Sequence, residues 1–292
     1  MGPNIRLIVQ NNKKTEIHGH RGCRGYFPEN TIDGFIHALG LNTDAIEMDV
    51  VVSKDLQIVV SHEPFMHHKK CLWPNLKKIT KEEEKALVIF DMDYEAVKAF
   101  DCGLLPHPNF PLVKNTHASK PLLLKVIEVI ENECSKRSRT PIVYNVEIKS
   151  DPNLIGKSQP DYDSYVNLVL EVIAKFKIQH RLVIQSFDKQ VLRCIKKIND
   201  SIALSLLIED ELDPFLHIQE LGFIPTILAS DYHYLSADNI LKLQSKNIKV
   251  FAFTVNKIEH INEMLTLGVD AIITDYPDIA ARCLGNYKYP EK

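Results

Sequence analysis

Four short stretches hold most of the residues able to do chemistry. The first is His18-Gly19-His20-Arg21-Gly22. A histidine exchanges protons near neutral pH, an arginine is a permanent cation whose planar fork suits an anion, and a glycine lets backbone approach a ligand closely. The second is Glu47-Met48-Asp49 and the third Glu147-Ile148-Lys149. Side chains on a strand alternate with period two, so each pair of charged residues shares a face. Three carboxylates on one enclosed face repel unless a cation offsets them. Two readings are open. Glu47, Asp49 and Glu147 hold a hard divalent cation whose shell is completed by water or substrate oxygens, or Glu147, Lys149 and Arg21 form a buried ion network. The fourth stretch is Ile58–His62, which follows the turn-like Ser53-Lys54-Asp55 and can return His62 to the neighbourhood of Asp49. Two histidines, an arginine and three carboxylates gathered in one place could cleave a phosphodiester. The cation and Arg21 would neutralise charge on the phosphorus oxygens while one histidine takes a proton and the other protonates the leaving oxygen.

Those residues fall at the ends of β-branched runs, and the runs alternate with helical patterns. Strands are expected at Glu16–His20, Ala45–Val52, Ile142–Lys149, Arg181–Phe187, Ile202–Ile208, Thr226–Ser230, Lys249–Val255 and Ala271–Thr274. Apolar spacing of three and four places helices at Thr31–Gly40, Leu122–Lys136, Ser164–Lys177, Lys189–Ile198, Pro214–Leu221, Ala237–Lys246, Ile258–Leu267 and Ile279–Leu284. Asp213-Pro214 and Ser236 read as helix starts, and Gly222 and Gly268 as stops. Strand–helix alternation implies a parallel sheet, and eight units imply an α/β fold closed into a TIM (β/α)8 barrel, whose chemistry sits at the C-terminal ends of its strands. Residues 63–120 break the alternation. They contain the only tryptophan, Trp73, prolines at 64, 74, 106, 108 and 111, and the charge run Lys81–Lys85. A stretch this long is expected to form an insertion after strand 2, anchored by Phe65, Leu72, Trp73, Leu87, Phe90, Tyr94, Phe100 and Phe110. The chain then reads as one domain over 1–292. Glu82–Glu84 reads as a solvated face, and His67, His68, His107 and His117 as surface or structural residues.

Composition narrows the partners. The 292 residues are 45% apolar, with 35 Lys+Arg against 38 Asp+Glu and a net charge of -3. That is globular composition without a sustained basic stretch, so no nucleic-acid or anionic-membrane partner is expected. No apolar run reaches the ~20 residues of a membrane span. Six scattered cysteines without a C-x-x-C pair read as reduced, mostly structural thiols and imply a cytoplasmic chain. A processed leader in place of Met1-Gly2-Pro3 is the alternative.

With these residues assembled, the chain resembles the glycerophosphodiester phosphodiesterase family. The resemblance rests on an ordered set: His20-Arg21-Gly22, Pro28-Glu29-Asn30-Thr31, Glu47-x-Asp49, Ser53-Lys54-Asp55, Val59-Val60-Ser61-His62, Glu147-Ile148-Lys149, Gln185-Ser186-Phe187-Asp188, Thr254-Val255-Asn256 and Gly268–Pro277. It implies a TIM barrel that hydrolyses small-molecule glycerophosphodiesters to glycerol 3-phosphate and an alcohol with one divalent cation, Mg2+ or Ca2+. It further implies His20 and His62 as the acid–base pair, Glu47, Asp49 and Glu147 as metal ligands, and Arg21 and Lys149 as phosphate contacts. In that family a neighbouring glycerol hydroxyl can be the first nucleophile, with the histidines exchanging roles in a second step. Three positions depart from the family pattern. Glu63 follows His62 where an aspartate is usual, Phe253 replaces a tryptophan and loses its indole N–H, and His18 stands where a small or apolar residue is usual. Asn30 reads equally as a phosphate contact or a helix cap, and Phe187 equally as a pocket wall or core. His18 reads as a hydrogen-bonded barrel filler.

Rival readings keep the barrel. One is a lysophospholipase D acting on lysophospholipids, favoured by an exposed apolar surface on 63–120. Another is an enolase-like site with Lys149 as base, disfavoured because two carboxylates share one strand. The third is a non-catalytic phosphodiester-binding protein.

Overall fold

The structure, a computed structural model, describes residues 14–41 and 43–285. Met1-Gly2-Pro3, on which the leader alternative turns, lies outside the described residues. The strands are β1 (Glu16–Gly19), β2 (Ala45–Val52), β3 (Ile58–Val60), β4 (Val143–Ile148), β5 (Leu182–Ser186), β6 (Ala203–Ile208), β7 (Ile227–Asp231), β8 (Lys249–Phe253) and β9 (Ala271–Thr274). Apart from β3, each strand pairs in parallel with its neighbours in the order β1-β2-β4-β5-β6-β7-β8-β9, and β9 returns to pair with β1. The closed eight-stranded parallel barrel expected from the alternation is present. Each strand turns one set of side chains outward and one inward, which divides the core. Met48, Val50, Val146, Leu206 and Val250 belong to the outer layer with the helices, while Val183, Leu207, Ala229, Phe251 and Ile273 fill the barrel itself.

The helices are α1 (Ile32–Gly40), α2 (Tyr94–Lys98), α3 (Leu123–Lys136), α4 (Tyr162–Ala174), α5 (Lys189–Ile198), α6 (Pro214–Leu221), α7 (Ala237–Ser245), α8 (Ile258–Leu267) and α9 (Pro277–Cys283). Their starts follow local chemistry. The side chains of Thr31, Asp161, Asp188, Asp213 and Ser236 accept from otherwise unpaired backbone N–H groups of the first turn. Helix α9 begins at Pro277 rather than at Ile279, because proline fits the first helical position, where no N–H is needed.

β3 runs antiparallel to β2, Val50 opposite Val60 and Val52 opposite Ile58. The reversal is closed by Ser53, whose Oγ donates to Asp55 and accepts from the Gln57 N–H. Residues beyond β3 pack on the outer side of this hairpin. Val51 and Val59 form a second apolar cluster with Met66, Ile79, Leu87, Ile89, Val97 and Phe100, and Trp73 lies against Phe100. Within this segment the structure corrects the cysteine reading. Cys71 and Cys102, 31 residues apart in sequence, form a disulfide, while Cys23, Cys134, Cys194 and Cys283 are free. Sequence spacing gave no sign of the pair, because only the fold of the insertion brings the two residues together. Among the described residues no helix is long and apolar enough to cross a membrane.

Candidate active site

The C-terminal ends of the strands surround a cavity of about 390 Å³ lined by His20, Arg21, Glu47, His62, Glu147, Lys149, Phe187 and Phe253, among others. Strand β1 runs out at Gly19 and the chain turns sharply. Gly22 adopts φ +88, and a Cβ there would stand 3.0 Å from the Gly34 backbone, so only glycine lets the turn seat on α1. This turn delivers His20 and Arg21 to the rim. Inward-facing positions of β2 and β4 deliver the carboxylates, with Asp49 directly across from Glu147 in register. The hairpin delivers His62: the Ser61 N–H donates to the Asp49 carbonyl at 2.9 Å, placing the next residue over the same strand end.

The oxygen atoms that Glu47, Asp49 and Glu147 offer lie within 4.8 Å of one another, and Glu47 and Asp49 are each only 1% exposed. Glu47 accepts from the Arg21 backbone N–H at 2.8 Å and from Gln185 at 3.1 Å. Glu147 accepts from Lys149 at 2.6 Å. Asp49 Oδ2 takes the Asn30 amide at 2.8 Å and lies 3.2 Å from Arg21 Nε, while its Oδ1 is buried without a hydrogen bond, 3.9 Å from Lys149 Nζ. Electrostatics records the crowding. Burial, reinforced by Asp49 and Glu147, raises Glu47 well above the usual carboxylate range. Burial pushes Glu147 up to about 7 against the opposing pull of Lys149. For Asp49 burial acts upward too, but Arg21, ahead of His62 and Lys149, outweighs it and holds the carboxyl low. Three clustered carboxylates, one with an orphaned oxygen, are a fitting set for a hard divalent cation, which prefers oxygen ligands and relieves such repulsion.

Both expected histidines line the cavity, each with a carboxylate on Nδ1. His20 Nδ1 lies 2.8 Å from Asp275 Oδ1, and its Nε2 lies 4.0 Å from Glu47. Burial, helped by Arg24, lowers His20 to about 4 despite Asp275, so its imidazole is neutral near pH 7. His62 is more open, 31% exposed at the side chain, with Nδ1 3.1 Å from Glu63 Oε1. Glu63 is anchored by Lys70, whose Nζ donates to Glu63 at 2.6 Å and to Glu29 at 2.7 Å. Glu29 in turn accepts from Arg21 Nη1. A chain of alternating charge therefore ties the rim histidine to the rim arginine.

Two side chains take roles that their types left undecided. Asn30 is neither helix cap nor cavity wall. Thr31 caps α1, and both polar atoms of the Asn30 amide serve Asp49, its Nδ2 donating to Asp49 Oδ2 and its Oδ1 accepting the Asp49 N–H at 3.3 Å. Phe187 and Phe253 both line the cavity, their rings 6.1 Å apart and edge to face. His18 is fully buried beneath the site between Glu16, Asn145 and the edge of Phe251. The residues without an assigned role in the sequence reading are Asp275, Arg24 and Gln185. Asp275 stands directly after β9, the strand beside β1, and a carboxylate at that strand end was the signal available. Arg24 gave none. It reaches Asp275 because the turn after β1 curls back, and its guanidinium also lies over the Phe110 ring at 4.7 Å.

The sequence profile of the glycerophosphoryl diester phosphodiesterase family matches residues 20–279. A glycerophosphodiester phosphodiesterase from Bacillus altitudinis is 30% identical over 275 residues, spanning 92% of this chain and 97% of that protein. A lysophospholipase D from Rattus norvegicus is 26% identical over 91% of this chain and 85% of its own length. Among solved structures, an Oleispira antarctica phosphodiesterase in complex with sn-glycerol-3-phosphate shares the fold with a TM-score of 0.73 at 20% identity, covering 92% of this chain and 96% of that one. A barrel of this kind, a profile match over nearly its whole described length and a relative of matching extent lead to one assignment: this chain belongs to the glycerophosphoryl diester phosphodiesterase family.

Proposed function

We propose that this chain hydrolyses glycerophosphodiesters to glycerol 3-phosphate and an alcohol, with His20 and His62 as the acid–base pair. The observation that carries the reading is the meeting of both histidines, Arg21, Lys149, Glu47 and Glu147 in one cavity, with Asp49 clustered against the two glutamates. A divalent cation, Mg2+ or Ca2+, held by Glu47, Asp49 and Glu147 would supply positive charge against a phosphoryl oxygen. Arg21 and Lys149 contribute fixed charge beside it, and the Arg21 backbone is itself pinned to Glu47. Neutral His20 suits the base that takes a proton from the attacking hydroxyl, its Nδ1–H held by Asp275 so that Nε2 carries the free lone pair. His62, in the same cavity and paired with Glu63, suits the acid that protonates the departing alcohol. If the first nucleophile is the neighbouring glycerol hydroxyl, the two exchange roles when water opens the cyclic phosphate.

A lysophospholipid is a second reading, supported by the 26% identical lysophospholipase D. Two observations favour the smaller substrate. The far rim of the cavity carries Glu209 and Asp231, and in 63–120 the large apolar side chains left exposed are Leu76 and Leu112. The test is to incubate the protein with glycerophosphocholine, glycerophosphoethanolamine or lysophosphatidylcholine, with Mg2+, Ca2+ or chelator, and to measure glycerol 3-phosphate and released choline. Glycerol 3-phosphate should form from the first two substrates, stop with chelator, and fall by about 10²–10⁴-fold in His20→Ala and in His62→Ala. Turnover indifferent to chelator and to both substitutions overturns the assignment.

A further inference from the structure

The insertion assembles a second group of donor atoms away from the barrel mouth. The Met66 N–H donates to the Leu87 carbonyl, and Phe65 bridges to Val88, so the segment carrying His67 and His68 lies along the Glu83–Ala86 turn. The two imidazoles stack with centroids 4.8 Å apart and planes 16° apart, and His67 stacks in turn on Phe65. From the turn Glu84 reaches back. Its Oε2 accepts the His68 backbone N–H at 2.9 Å and lies 2.5 Å from His68 Nδ1. Far from forming a solvated face, Glu84 has its side chain only 13% exposed, and His68 22%. One atom from each of His67, His68 and Glu84 lies within 4.8 Å of the others.

We propose that His67, His68 and Glu84 form a second metal site, for a borderline divalent transition metal of the Zn2+ class, with water completing the coordination. The donor chemistry separates it from the catalytic cluster. Three carboxylates suit hard Mg2+ or Ca2+, whereas two imidazoles and a carboxylate suit zinc. Tetrahedral bonds of ~2.1 Å place donors roughly 3.4 Å apart, so His68 Nδ1 and Glu84 Oε2 must part by about 0.9 Å and donors as far apart as 4.8 Å must close by about 1.4 Å, within the rotation of partly exposed side chains. Binding replaces the proton between His68 Nδ1 and Glu84, which leaves to solvent. The Lys69 N–H, now donating to His67 Nδ1 at 3.0 Å and exposed, transfers to water if that nitrogen takes the metal. The consequence is mechanical. The metal would cross-link the segment carrying His67 and His68 to the Glu83–Ala86 turn beside the Cys71–Cys102 disulfide and fix the turn that carries Lys70, whose ammonium bridges Glu63 and Glu29.

This inference does not rest on the catalytic reading, and its test is kept separate from activity. Zn2+ is titrated calorimetrically into the full chain in millimolar Mg2+, added to compete for the carboxylate cluster. One Zn2+ per chain is expected with a Kd of about 10 µM or tighter. It should weaken at least about tenfold in His68→Ala and in Glu84→Gln, and persist in Asp49→Asn. Zn2+ should also raise the Tm of the wild type and not that of His68→Ala. His67→Gln serves if His68→Ala fails to fold, as judged by circular dichroism. Absent or weaker wild-type binding, binding indifferent to substitutions of the trio, or binding lost in Asp49→Asn each overturns the proposal.

Discussion

At the scale of single residues, Asp275 shows how completely a side chain can be committed to another's orientation. Its Oδ1 meets His20 Nδ1 and Arg24 Nε, both at 2.8 Å, and its Oδ2 meets Arg24 Nη2 at 3.0 Å and Asn256 Nδ2 at 2.7 Å. Every lone pair is thus spent on holding the imidazole and its neighbour. Asp275→Asn keeps the shape but replaces an acceptor-only group with one that also donates, which disturbs the tautomer. Steady-state kinetics should show kcat lowered by about 10²–10⁴-fold with KM little changed. An unchanged kcat would remove Asp275 from the positioning of His20. At this scale much was legible, because a type and a strand-end position suffice to nominate His20, Glu47, Asp49, His62, Glu147 and Lys149. Partners were not, since Asn30 serves Asp49 across nineteen residues and Asp275 serves His20 across 255.

Among the elements, the β2–β3 hairpin and the insertion it carries decide where His62 stands. The hairpin was readable from Ser53-Lys54-Asp55, a local turn. The insertion was readable only as an interruption, because its hydrogen bonds are short loops and isolated bridges without a periodic pattern. Its disulfide closes a separation of 31 residues, and chain-entropy reasoning gives such a cross-link about 2–4 kcal/mol. Replacing Cys71 and Cys102 together by serine should lower the unfolding free energy in urea by that amount. No change in midpoint would show that the clasp adds nothing to stability. Directly after Asn30, Thr31 caps α1 through the Gly34 N–H. Thr31→Ala should cost about 0.5–2 kcal/mol in the same measurement, as the loss of one cap does.

For the molecule as a whole, the near-balance of charge conceals strong local pairing. Burial pushes Glu29 and Glu63 upward, yet Arg21 and Lys70 for Glu29, and His62 and Lys70 for Glu63, hold both carboxyls well below the usual range. Asp275 is held low in the same sense by His20 and Arg24. A carboxylate depressed on folding adds stability that is present above its unfolded pKa, near 4 (roughly, for Asp and Glu), and is lost as pH falls toward the folded value. The contribution of these three carboxylates should therefore hold through neutral pH and be lost below about pH 4. Glu29→Gln should be destabilising at pH 7, with the gap to the wild type narrowing as the pH is lowered through that window. Urea unfolding at a series of pH values measures it, and a gap that widens on acidification would contradict the pairing.

The sequence by itself determined the barrel and the rim, because strand and helix periods, caps and turn residues are local and a parallel closed sheet has one end for its chemistry. The helix start at Pro214 and the stops at Gly222 and Gly268 follow from backbone preferences of single residues. Tertiary structure decided what depends on distance through space. It joined Cys71 to Cys102, turned Glu84 from water toward His68, and set Arg24 and Asp275 behind His20. Such contacts are fixed by packing between segments far apart in the chain, and no local pattern encodes them.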